Sequence, residues 1–442
     1  MKKVLFIILS LALFTSCERK ISEYAADKGS ANFTTYIAVG NSLTSGYADG
    51  ALYHDGQVYS SPNLIAGQLK LAGGGNFVQP MVTSNYGVAA YLGIQPKFVL
   101  GYSQDCHGIV GLGPVRSTGA MDVFGPVGYA VNNLGIPGAK SFHLLVPGYA
   151  MMNPYYTRFA SSLQGAVVGE FNNLHPTFFT MQLGDNDVLA YALAGGSYDS
   201  ITNPATFYFA TKTVLGALLA TGASGVIANI PDVTSIPYFT TIPYNGLVLT
   251  RQGLVDSVNM AMGLYGLPFH YVLGPNPFLI REPSSPHPYF KVRQMQPGEM
   301  VLLSAPQDSM KCYGMGIINA ITHLPYPIPD QYILTTAEVT QIKTATTIFN
   351  AMIDTIASNR HVGLVDMHSK LQTIATESGI VWDGVHLNAD FVTGGTFSLD
   401  GIHLTPRGNA ISANYFIDAI NARFGSKIPY VDITQYKGVV FP

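Results

Sequence analysis

Ser42, Asp400 and His403 are the residue types that nucleophilic catalysis requires, and each stands in a short segment suited to display it. Ser42 lies in Gly40-Asn41-Ser42-Leu43-Thr44-Ser45-Gly46, directly after an apolar run, 33–39, that reads as a buried strand stopped by glycine. A serine in such a turn exposes its hydroxyl at the carboxyl edge of a sheet, where open α/β folds place ligands. The plainer reading is a strand-to-loop turn that uses Gly and Ser for their backbone tolerance. A hydroxyl is a weak nucleophile until a neighbouring base takes its proton. An imidazole is the side chain that exchanges protons near neutral pH, and His403 supplies one. Asp400, three residues earlier in the same turn, is placed to fix the imidazole tautomer. A second pair at the same spacing, Asp383 and His386, lacks the Thr405-Pro406 and the closing helix that follow His403. It reads as loop or cavity wall.

Four segments taken in order carry a family resemblance. Asn41-Ser42-Leu43 stands where a G-D-S-L block would, and Asn133-Leu134-Gly135-Ile136-Pro137-Gly138 looks like N-x-x-x-x-G. Gly184-Asp185-Asn186-Asp187 matches G-x-N-D, and Asp400-Gly401-Ile402-His403 matches D-x-x-H. Together they resemble the SGNH (GDSL-type) serine hydrolases. The resemblance covers the sheet-forming half of the chain and implies a flavodoxin-like three-layer sandwich. It also implies Ser42 as nucleophile, His403 as general base and then acid, and Asp400 as its orienting carboxylate. The backbone N–H groups of Ser42 and Gly138 and the Asn186 amide become the oxyanion donors. Outside the family, Asn186 could simply cap a helix beginning near Val188, and Gly138 could be a turn glycine. One departure stands out: the residue before the serine, an aspartate in the family, is Asn41 here, which keeps hydrogen-bonding capacity without the charge.

The elements that must position these residues alternate between strand and helix. Strands are expected at 33–39, 129–136, 177–183, 225–230 and 362–365. Helices are expected at 62–72, 162–174, 204–220, 335–359 and 406–424, the last opened by Pro406 and stopped by Gly425. Ile342, Ile348, Phe349, Met352, Ile353 and Ile356 fall on the apolar side of the 335–359 helix. The pattern predicts an α/β fold with a parallel sheet of about five strands covered on both faces. Two stretches rich in Gly, Pro and aromatic residues, about 73–129 and 231–334, break it as long insertions, the second with a helix at 247–262. One hydrolase domain, 33–425, is therefore expected, followed by a tail, 426–442.

Met1-Lys2-Lys3 and an apolar run to Phe14 read as a secretory signal, 1–16, too short to span a bilayer. Phe14-Thr15-Ser16-Cys17 resembles a bacterial lipobox, which makes Cys17 the lipidated first residue of the exported chain, with 17–32 as a polar tether. The expected location is the bacterial cell envelope, lipid-anchored in the outer membrane. The remaining cysteines, Cys106 and Cys312, are an even pair in an oxidising compartment. They are candidates for a disulfide joining the two insertions, or for two buried thiols. Cys106 beside His107 also suggests a thiol enzyme, although adjacent residues rarely supply the geometry. No Cys-x-x-Cys or closely spaced His pair suggests a metal, and no cofactor is expected. Charged residues are 11% of the 442, with a net charge of −3 and no basic stripe, which excludes a nucleic-acid surface. The expected substrate is an ester-bearing lipid or an acylated carbohydrate. The competing class is a non-catalytic envelope protein that keeps the scaffold for binding or for service to a transporter. Oligomeric state is not written in the sequence.

Overall fold

The computed structural model describes residues 25–88 and 93–442; the signal segment and Cys17 lie outside the described residues. Numbering only the central strands, the sheet comprises β1 (Tyr36–Gly40), β2 (Asn133–Gly135), β3 (Phe178–Gln182), β4 (Ser224–Ala228) and β5 (Gly363–Val365). Their order is β2-β1-β3-β4-β5 and every pairing is parallel. That order is the doubly wound arrangement of flavodoxin-like folds, with a switch point between β1 and its neighbours. All five residues of β1 and of β3 are buried, as expected of parallel strands covered on both faces.

Five longer helices do the covering: α1 (Ser61–Leu71), α2 (Asp185–Leu193), α3 (Pro204–Ala220), α4 (Thr336–Arg360) and α5 (Pro406–Phe424). Helices α1 and α5 pack together, and α3 packs on α4, where Phe207 and Phe349 stack with ring centroids 4.1 Å apart. Helix α4 opens with a capping box, Thr335 and Glu338 satisfying each other's backbone N–H groups. Its buried stripe is Val339, Ile342, Thr346, Phe349, Ile353 and Ile356. Ile348 does not join it and is exposed, because it sits about 100° around the helix from Phe349.

Several expected bounds shift. The strand expected at 129–136 forms only over Asn133–Gly135, at the sheet edge where β1 is its sole partner. The helix expected at 162–174 forms only over Val168–Leu174. Residues 426–442 are not a free tail: Ile428, Val431 and Ile433 are buried in the main core. Part of the expected tether is likewise built in, with Ala31 in the core and Asp27 bridged to Lys427.

The first insertion carries an antiparallel hairpin, Phe98–Gln104 with Val110–Arg116. The second begins its expected helix with a strand, Leu247–Leu249, and is helical over Gln252–Leu264. It has small apolar clusters of its own, one around Val255, Met262 and Tyr271 and another around Phe278, Ile280 and Val301. A disulfide joins Cys106, in the turn of the hairpin, to Cys312, in a helix (Gln307–Tyr313) of the second insertion, with Cα atoms 6.1 Å apart. Cys106 is thus consumed as a sulfur bridge, which removes the thiol that a Cys106–His107 enzyme would need.

Candidate active site

Strand β1 ends at Gly40 because only glycine fits there. A Cβ on Gly40 would lie 2.4 Å from the Gln182 carbonyl oxygen and 2.1 Å from Thr44 Oγ1. The chain then closes at once into a single helical turn, Ser42–Ser45, capped by the Asn41 side chain on the Leu43 N–H (3.0 Å). Gly40 pairs with Gln182 across the sheet, so the residues after β1 and after β3 emerge side by side at the switch point. Ser42 comes from the first, Asp185 and Asn186 from the second.

His403 reaches the same place from the turn before α5. Its Nδ1 lies 2.7 Å from Asp400 Oδ2. Asp400 is held from several sides: Oδ1 accepts from Ser398 Oγ (3.0 Å) and from the Ile402 and His403 N–H groups (2.9 Å each), and Oδ2 accepts from the Gly50 N–H (2.9 Å). Burial opposes the charge on Asp400, but the His403 imidazole and these donors outweigh it and hold the carboxyl well below its ordinary range. The Tyr47 ring packs against the imidazole with centroids 4.8 Å apart, so the ring is fixed by packing as well as by the carboxylate.

Ser42, His403, Asn41, Asp185 and Asn186 line one cavity, which has about 800 Å³ of empty space, its open mouth included. Away from these polar groups its wall is apolar, with Leu189, Val233, Ile236, Leu371, Ile374 and Ile411. Among the described residues no hydrogen bond joins Ser42 Oγ to His403 Nε2; catalytic hydrogen bonds of this kind commonly tighten only with substrate in place. Asn186 is not a helix cap. It sits inside the first turn of α2, whose cap is Gly184, and its amide donates to the Ala139 carbonyl (3.0 Å). One amide hydrogen is so fixed and the other remains for a ligand. That bond also ties the loop after β2 to α2. Gly138, in that loop, is exposed at φ +78° and does not line the cavity. Among the described residues its N–H donates to no protein acceptor.

The second Asp/His pair is elsewhere. Asp383 and Gly384 form a tight turn at positive φ between the short strands Ile380–Trp382 and Val385–Leu387, and the exposed His386 puts Nε2 on the Ser378 carbonyl at 2.7 Å. It is a loop feature and not part of the cavity wall.

Sequence reasoning missed Tyr47, Ser398 and Gly50 as supports of the His403–Asp400 pair, and no local pattern marks them. It also missed Asp185. The Asn41 amide donates to Asp185 Oδ2 at 2.7 Å, and both side chains are buried. Apart from the backbone N–H of Asp185 itself, Asp185 Oδ1 has no partner among the described residues. Burial pushes this carboxyl up to about 6, with Asn41 opposing the rise and Asp187 adding to it. Its ionised form therefore costs the fold on the order of 2–3 kcal/mol above pH 6, a cost that shrinks as pH falls and vanishes below about pH 3, where both folded and unfolded chains are protonated.

Comparisons with known proteins are sparse. No family model matches the chain, and no curated protein matches it. Among solved structures it is similar to LAE5, an alpha/beta hydrolase enzyme from the metagenome of Lake Arreo, Spain, at 11% identity and a TM-score of 0.34, covering 89% of this chain and 97% of that one. An extracellular lipase from Streptomyces rimosus matches at 11% identity and a TM-score of 0.32, over 87% and 99%. A lipase/acylhydrolase from Enterococcus faecalis matches at 12% identity and a TM-score of 0.32, over 90% and 100%. These likenesses are distant.

Proposed function

We propose that this chain is a serine ester hydrolase of the SGNH type that cleaves acyl esters. The observation that carries the reading is the Asp400–His403 pair, at 2.7 Å, opening onto the cavity that Ser42 and Asn186 also line at the β1/β3 edge. His403 Nε2 takes the Ser42 proton as Oγ attacks the ester carbonyl, and the imidazolium is stabilised by ionised Asp400. The Asn186 amide and the Ser42 N–H, both on the cavity wall, are assigned to the oxyanion; Gly138, outside that wall, becomes a third donor only if its loop moves in with substrate. His403 then protonates the leaving alcohol, and a water activated by the same imidazole releases the acid. No step requires a metal or cofactor.

The apolar wall supports an acyl chain over a bare acetyl group. Each buried methylene stabilises by about 0.8 kcal/mol, roughly a fourfold gain in kcat/KM per methylene while the chain still fits. Two measurements test the reading. A fluorophosphonate should label the protein, with the adduct on Ser42 by peptide mass spectrometry. Across nitrophenyl esters from acetyl to dodecanoyl, kcat/KM should climb with chain length before levelling. An unlabelled protein would leave the fold as a binding scaffold, and a maximum at acetyl would point to deacetylation instead.

An envelope location is proposed from Cys17 alone. Among the described residues no helix is long and apolar enough to cross a membrane. Cys17→Ser should move the protein from the membrane fraction to the soluble one; retention there would reveal another attachment.

A further inference from the structure

Asn41 and Asp185 stand at the foot of the cavity without a role in the triad or among the oxyanion donors. Asn41 is 1% exposed and Asp185 5%. The asparagine has one assignment that serves both neighbours: Oδ1 accepts the Leu43 N–H, so Nδ2 faces Asp185 Oδ2. With both groups ionised, an aspartate at position 41 could not do both, since it has no donor and would set a second buried carboxylate against the first. The asparagine before the serine and the acid at position 185 therefore explain each other.

The acid is retained against the interest of stability. Burial disfavours its charge, and among the described residues no other pairs with Asp185 Oδ1. The titratable groups around it are Asp187 on its own helix, and His403 and Lys370 along the same cavity. A costly carboxylate placed one residue before Asn186 and against the residue before Ser42 acts on both sides of the reacting centre.

We propose that Asn41 and Asp185 form one positioning unit for the Ser42 nucleophile, in which the Asp185 carboxylate locks the Asn41 amide and the amide fixes the turn Ser42–Ser45. The inference rests on Ser42 being the nucleophile. Neither residue touches the reacting atoms, so both act through the direction in which Ser42 Oγ points.

The test is an exchange of the two side chains, read by the rate of phosphonylation at Ser42 and by kcat and KM on one ester. Asn41→Asp should lower kcat and labelling by about tenfold or more while KM stays within about threefold, because the fault lies in orientation and not in binding. Asp185→Asn should cost less, since a flipped amide can still accept from Asn41. The double variant should return to within about threefold of wild type. Its carboxylate at position 41 would accept from both the Leu43 N–H and the new amide at position 185, a departure from additivity that coupled neighbours show. Losses that simply add, or an Asn41→Asp variant at the wild-type rate, would overturn the proposal. If Asn41→Asp does not fold, Asp185→Asn decides: its thermal midpoint should exceed wild type at pH 8, by a margin that narrows as the pH is lowered to 4, with kcat reduced at pH 8. Unchanged kcat and midpoint would sink the idea. A wild-type protein that takes no phosphonate overturns the nucleophile assignment, and this inference with it.

Discussion

Ser42→Ala and His403→Ala are each expected to lower ester turnover by roughly 10⁴-fold or more, while His386→Ala stays within about twofold of wild type. The serine change removes a single oxygen that lines a cavity and makes no protein hydrogen bond among the described residues. Folding should be unaffected, and unfolding midpoints of the two proteins should agree. His403 differs because its Nδ1 is committed to Asp400 at 2.7 Å, which leaves Nε2 as the one nitrogen able to take a proton. Without the imidazole the hydroxyl has no base and buried Asp400 has lost its partner, so a loss of stability should accompany inactivation. His386 is a surface residue bonded to the Ser378 carbonyl, and its removal perturbs a hairpin. Steady-state kinetics on all three variants settles the assignment. Inactivation by His386→Ala together with survival of His403→Ala would reverse it.

What was legible in the sequence was what is encoded locally. Helix α5 runs from Pro406 to Phe424 with Gly425 as its cap, as its proline start and glycine stop dictate, and α4 begins one residue after its threonine cap. The Gly40 stop and the serine turn were readable because a strand that must end against a neighbouring carbonyl tolerates only glycine. Asp400 and His403 lie in one turn, so their pairing needed no knowledge of the fold. What was hidden depends on contacts between distant segments. Asn41 and Asp185 are 144 positions apart and meet only because β1 and β3 are neighbours in the sheet. The one sign in the sequence was a mismatch, an amide where an acid is usual and an acid at the variable position of G-x-N-D. The closing residues 428–433 read as a tail because their burial is supplied by α5, where Asn414 exchanges two hydrogen bonds with Val431, and not by any periodicity of their own.

The second large effect is expected at the opposite end of the architecture, in the Cys106–Cys312 bridge. The first insertion leans on the Asp400–His403 turn from one side: Phe98 N–H bonds to the Asp49 carbonyl (2.8 Å), Asp49 N–H to Ser398 Oγ (3.0 Å) and Gly50 N–H to Asp400 Oδ2 (2.9 Å). The second insertion leans on it from the other: Leu303 N–H bonds to the Tyr238 carbonyl and Tyr238 N–H to the Gly401 carbonyl, both at 2.9 Å. Gly401, at φ +72°, has no room for a side chain beside Tyr238. The disulfide joins these two arms, which meet at the turn holding Ser398, Asp400 and Gly401, across 206 positions of sequence. Closing so long a loop lowers the entropy of the unfolded chain by an amount worth roughly 5 kcal/mol in the ideal case, and typical measured values are about 2–4 kcal/mol. The Cys106→Ser/Cys312→Ser variant should therefore unfold at a distinctly lower urea concentration than the oxidised protein, by about 2–4 kcal/mol. Below that midpoint its turnover should fall far less than in the triad variants, because every hydrogen bond to Asp400 comes from residues outside the bridge. Mass spectrometry of unreduced peptides verifies the bond itself. An equal midpoint with and without the cysteines would show that the arms are held by packing alone, and a loss of activity as deep as that of His403→Ala would show that the bridge, and not only the contacts at Asp400, sets the geometry of the site.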